Sequence, residues 1–118
     1  MVKTDSVWFQ FVESRIFSKQ ASKTPTDVLP SIQSDLIHDP ERGDIVKGTH
    51  GVRKARVADP SSSRGKSGSY RYLYLYLEHA GRIHLLYLFS KSEQANLSPD
   101  QTRMLGALSQ QIRREHES

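Results

Sequence analysis

Apolar residues recur along this chain with two different periods. Val7–Val12, "VWFQFV", concentrates aromatic and β-branched residues in one short run and predicts a first strand. "ESRIFSKQASK" follows and predicts one or two helical turns. In "TDVLPSIQSDLIHDP", Leu29, Ile32 and Leu36 fall at i, i+3 and i+7, one face of a helix. Asp27 as its cap puts Pro30 at the third helical position, where no intrahelical N–H is needed. Asp39 before Pro40 closes that helix, because the residue before proline avoids helical geometry. "ERGD" reads as the turn after it. "VRKARV", Val52–Val57, predicts a strand with Lys54 and Arg56 on one face and Arg53 on the other. "DPSSSRGKSGS" is a loop by composition and carries Arg64 and Lys66.

The clearest unit is "SYRYLYLYLE" and "RIHLLYLFSK" around "HAG", a β-hairpin with Gly81 in the left-handed position of its turn. Pairing Glu78 with Arg82 sets Leu75 against Leu85, Leu73 against Tyr87 and Arg71 against Phe89. One face then carries Arg71, Leu73, Leu75, Leu77, Ile83, Leu85, Tyr87, Phe89 and Lys91. The other carries the four tyrosines 70, 72, 74 and 76 with His84, Leu86 and Leu88. Finally, "LSPDQTRMLGALSQQIRREHE" predicts a helix: Ser98 as N-cap, Pro99 first, Gln101 closing a capping box. Its apolar stripe is Met104, Leu105, Leu108 and Ile112. The order of elements implies an α+β fold, a small antiparallel sheet with N-terminal helices and a C-terminal helix packed on it.

Composition narrows the class. The chain has 118 residues, which suits one domain over 1–118, and no cysteine, so neither disulfides nor thiolate metal sites arise. No segment approaches the ~20 apolar residues of a membrane span, and the N-terminus lacks the apolar run of a secretory signal. A soluble cytoplasmic protein, with no membrane partner, is the expectation.

Charge changes the picture more. From Arg42 to Lys91 there are ten Lys/Arg against three acids, a local excess of +7. A field of one sign attracts polyanions such as nucleic acid. The five histidines show no paired ligand spacing, and "RGKSGS" lacks the upstream glycine of a P-loop, so no cofactor is expected. What remains is a set of cations around one end of the hairpin: Arg56, Arg64, Lys66, Arg71 and Lys91. RNA cut by its own 2′-hydroxyl needs a phosphate held in line and charge stabilised on the phosphorane. It also needs a base and an acid. Arginine suits the phosphate. Lysine transfers protons only if its pKa is lowered. From charge alone, binding without chemistry is the simpler reading.

"DPERGDIVKGTHGVRKARVAD", "RGKSGSYRYLYLYL" and "RIHLLYLFSKSEQANLSPDQ", in that order, resemble the RelE/ParE toxin superfamily, specifically the HigB-type, RelE-like mRNA interferases. The resemblance spans roughly Val7 to Ile112. It implies a RelE-like toxin domain that enters the ribosomal A site and cleaves mRNA without a metal. It also implies neutralisation by a cognate antitoxin, typically a helix-turn-helix protein. On this resemblance Arg71 contacts the scissile phosphate, and Lys66 and Lys91 transfer protons or stabilise charge. Arg53, Lys54, Arg56, Arg64 and Phe89 contact RNA. Phe89 stands where the family often has tyrosine, and Ser92 where it often has asparagine.

Two other readings stay open: a ParE-like or degenerate toxin that binds without cutting, and a non-toxic nucleic-acid-binding regulator. The tyrosines also admit two readings. Stacked bases gain about 1–3 kcal/mol each on an open aromatic platform. Tyr72 and Tyr74, however, alternate with leucines across the hairpin, which favours packing beneath a helix.

Overall fold

Six strands form one sheet in the order β1-β2-β6-β5-β4-β3. The computed structural model of the protein describes residues 2–4, 7–25, 28–58, 69–90 and 96–116. The strands are β1 (Val2–Thr4), β2 (Val7–Glu13), β3 (Asp44–Ile45), β4 (Arg53–Val57), β5 (Tyr70–Leu77) and β6 (Arg82–Ser90). The helices are α1 (Arg15–Ala21), α2 (Val28–His38) and α3 (Pro99–Glu115). The class is α+β, as the pattern of elements implies. The sheet is nevertheless mixed rather than wholly antiparallel, because β2 runs parallel to β6 from Gln10–Arg82 to Glu13–Leu85. Side-chain alternation does not encode strand direction. Here direction follows from the connection: α1 and α2 carry the chain over one face before β3 and β4 begin at the far edge.

The hairpin departs from its expected register in an informative way. Arg71 faces Phe89 and Leu73 faces Tyr87, as the sequence reading has it. Beyond Leu73 the ladder slips by one residue, so Tyr74 faces Leu85 and Leu75 faces His84. Leu86 is the extra residue of a β-bulge. The slip exchanges faces: Ile83 and Leu85 join the tyrosine side, whereas Leu86 joins the leucines. Helix α1 accounts for the bulge. Its N-cap Ser14 donates its hydroxyl to the Leu86 carbonyl at 2.8 Å, and Gln20 Oε1 accepts the Leu88 N–H at 2.7 Å. Two side chains thus replace ladder bonds where β2 has ended. The hairpin loop also holds four residues rather than three. Glu78–Ala80 forms a 3-10 turn, Gly81 follows at φ 60°, and pairing begins at Leu77–Arg82. Gly81 fits because that left-handed geometry costs it nothing.

Each sheet face has its own core. On one, α1 and α2 bring Phe17, Val28, Ile32 and Leu36 onto Tyr72, Tyr74, Ile83, Leu85 and Leu88. Tyr72 and Tyr74 are fully buried, so they pack rather than form a stacking platform. On the other, α3 covers Val52, Leu73, Leu75, Leu77, Leu86 and Phe89. The capping box of Ser98 and Gln101 and the leading Pro99 start α3 as its sequence predicts. Its buried line is different: Leu105, Gly106, Ser109 and Ile112 face inward, while Met104 is exposed. Small residues win those positions because the 48–50 loop lies against the helix. A Cβ on Gly106 would meet the Gly48 carbonyl at 3.0 Å, and the Ser109 hydroxyl donates to the His50 carbonyl at 2.6 Å. Asp27, the expected cap of α2, lies outside the described residues. No helix among the described residues is long and apolar enough to cross a membrane.

Candidate active site

Strand alternation assembles a cationic groove. Arg56 and Arg71 are directly opposite across β4 and β5, and Lys54 stands opposite Leu73. All three therefore project from the leucine face, where the apolar row of β5 ends at Arg71. With Ala55, Arg42, Asp44 and Asn96 they line an open hollow of about 580 Å³. Asp44 enters it because β3 pairs Asp44 with Lys54.

The electrostatics are unbalanced. Among the described residues no ion pair or hydrogen bond engages the side chains of Lys54, Arg56 or Arg71. The Nη1 atom of Arg71 is buried and has no hydrogen-bond partner among the described residues. A buried guanidinium nitrogen without an acceptor is costly, since its donors lose water and gain nothing. An anion seated in the groove would satisfy it with a charge-assisted contact, for which the guanidinium fork offers two parallel donors. Among the described residues, no cluster of three or more His, Asp or Glu side chains is arranged to hold a metal.

The model of a family described as the RelE toxin of the RelE/RelB toxin-antitoxin system matches residues 13–118. The chain belongs to the RelE toxin family. Its fold is shared by the free-state structure of the E. coli toxin RelE, a variant with two arginines changed to alanine. The two agree with a TM-score of 0.53 at 13% identity, over 75% of this chain and 88% of that chain.

Within this RelE-family chain the expected site residues do not all converge. Arg71, Arg56 and Lys54 share the groove. Arg53 does not: it projects from the other face of β4. Its Nη1 donates to the carbonyls of Gly43 at 2.7 Å and Glu41 at 3.1 Å, and its Nη2 meets the Glu41 carboxylate at 3.3 Å. Those bonds make it a brace for the 40–44 turn. Phe89 faces Arg71 but is only 4% exposed, buried in the α3-side core with its ring 5.6 Å from that of Tyr87. Arg64, Lys66 and Lys91 lie outside the described residues.

Sequence reading missed Arg42, Asp44 and Asn96 as groove residues. The signal for the first two was present in "ERGD", a turn with charges on both sides of a glycine. Gly43 is required there by close approach: a Cβ would sit 2.8 Å from the Lys54 carbonyl oxygen and 3.0 Å from Tyr74 Cε1.

Proposed function

We propose that this RelE-family toxin is a ribosome-dependent mRNA interferase of the HigB type that cuts translated mRNA in the A site. Support comes from one observation above others: Arg71 holds a buried guanidinium nitrogen, unpartnered among the described residues, at the edge of a groove shared with Arg56 and Lys54. A guanidinium so placed is suited to binding an anion. In this reading the anion is the scissile phosphate.

The chemistry is transesterification by the substrate's own 2′-hydroxyl. The 2′-oxygen attacks phosphorus as its proton leaves to a base. The bond to the 5′-oxygen breaks as that oxygen gains a proton from an acid. The products are a 2′,3′-cyclic phosphate and a free 5′-hydroxyl. Arg71 binds the equatorial phosphate oxygens and stabilises the charge that grows on them. Arg56 and Lys54 add positive potential along the strand and position it. Lys66 and Lys91 are the proton-transfer candidates, a role that needs no metal in this mechanism. Phe89 supplies apolar support beneath the groove. Control comes from a cognate antitoxin, a helix-turn-helix protein in this reading.

The test is a map of cellular mRNA ends after induction. Wild type should create new ends within translated codons, and Arg71→Ala should remove them and relieve growth arrest. Full toxicity with Arg71→Ala, Lys66→Ala and Lys91→Ala alike would reject the mechanism.

A further inference from the structure

We propose that Arg42 is an additional substrate-phosphate ligand of the groove, held in place by Asp35 of α2. This rests on the RNA-binding reading of the groove. Arg42 lies outside the sheet and, although part of the basic stretch of the sequence, outside the cation cluster read at the hairpin end. It reaches the groove from the turn after α2 and lines it beside Arg56 and Arg71. Its Nη1 lies 2.8 Å from Asp35 Oδ2, with about a third of each side chain exposed. One carboxylate occupies one edge of the planar fork. The guanidinium has five N–H donors, so others remain for an anion on the groove side.

The turn that carries Arg42 is tied down by a set of hydrogen bonds, several of them from the sheet. The Tyr74 hydroxyl donates to the Pro40 carbonyl at 2.9 Å and accepts the Gly43 N–H at 3.0 Å. Arg53 clamps the carbonyls of Glu41 and Gly43. The Arg42 N–H donates to the Asp39 carbonyl at 3.2 Å, and the Asp39 carboxylate accepts the Glu41 N–H at 3.1 Å. Each bond from Tyr74 and Arg53 crosses from the sheet to the turn, so the sheet fixes where Arg42 emerges. A surface ion pair alone would need no such frame, because exposed pairs contribute little. Preorganisation at a phosphate site does need one. Arg42 approaches from the outer edge of β4 and Arg71 from β5. Two cations on opposite sides suit two successive phosphates of one RNA strand.

The experiment measures binding of purified protein to mRNA-programmed ribosomes across a salt series, together with kcat and KM for cleavage. Arg42→Gln should weaken binding about tenfold and reduce the log–log salt slope by about one, as loss of one phosphate contact requires. KM should rise, kcat should change less than threefold, and the melting temperature should hold. Arg42→Lys should recover part of the affinity, because a point charge replaces the fork. Asp35→Asn should raise KM by a smaller factor, about threefold, with the salt slope unchanged. Wild-type binding and slope in Arg42→Gln would overturn the assignment. So would an effect that tracks a fall in melting temperature. If wild type binds programmed ribosomes but cuts no mRNA, the cleavage reading fails while the salt slope still decides Arg42.

Discussion

Arg56 and Arg71 face each other on adjacent antiparallel strands, with no carboxylate paired to either among the described residues. Like charges directly opposite in a sheet are destabilising, by a few tenths to about 1 kcal/mol. The fold carries that cost at the mouth of its groove, where an anion would remove it. Stability and function should therefore separate here.

Replacing Arg56 with glutamate turns the repulsive pair into an attractive one. We expect Arg56→Glu to raise the thermal midpoint by a few degrees, consistent with about 0.5–1 kcal/mol. The same change should lower cleavage by at least tenfold, because a carboxylate repels phosphate. Thermal unfolding and ribosome-dependent cleavage on one preparation check both halves. A variant both less stable and less active would mean that Arg56 has a structural partner instead.

The two buried tyrosines of β5 make a second contrast. The Tyr74 hydroxyl bonds Pro40 and Gly43, while the Tyr72 hydroxyl is buried with no partner among the described residues. Burial pushes the pKa of both upward, so both stay neutral at any physiological pH. Removing a bonded buried hydroxyl strands its partners and costs about 1–3 kcal/mol, whereas removing an unbonded one is neutral or favourable. Tyr74→Phe should therefore destabilise by roughly that amount and loosen the turn that carries Arg42. Tyr72→Phe should match or exceed wild-type stability. Urea titrations of the two single variants give the comparison directly.

The tyrosines and the arginines also show what the sequence could reveal. Alternation in "YRYLYLYL" placed Arg71 with the leucines and opposite Phe89, and "VRKARV" placed Lys54 and Arg56 together. Period-two patterns report faces, and those faces are what the groove is made of. The same pattern could not report the bulge at Leu86. Its cause is a helix 72 residues away in sequence, whose Ser14 takes the Leu86 carbonyl. With that slip, His84 crossed to the face beneath α3 and Ile83 and Leu85 crossed away from it. The partners of Arg53 were hidden from the sequence for a related reason. Its charge was visible, but the carbonyls of Glu41 and Gly43 that occupy it come from a turn folded back onto the edge of β4.

His84 yields a pH dependence because of where the bulge puts it. It is 9% exposed, its Nε2 is buried without a partner among the described residues, and its ring lies 5.6 Å from that of His116 at the end of α3. Burial lowers its pKa below the usual 6.5, with further lowering from His116 and Arg82 and a small opposing pull from Glu115. His79, on the hairpin turn, reaches the His116 carbonyl at 3.3 Å and completes the charged and titratable surroundings. A depressed folded-state pKa means that the unfolded chain binds the proton more readily. Stability from this group is therefore complete above about pH 6.5 and is lost as pH falls from there through the folded value. The folded protein should thus weaken as pH falls below about 6.5. His84→Leu keeps an apolar contact with the α3-side core and cannot take up a proton. It should be at least as stable as wild type at pH 7, and its unfolding free energy should change less with pH below that point. Denaturant unfolding at pH 5, 6 and 7 measures both. Equal pH slopes for the two proteins would show that the acid sensitivity resides elsewhere.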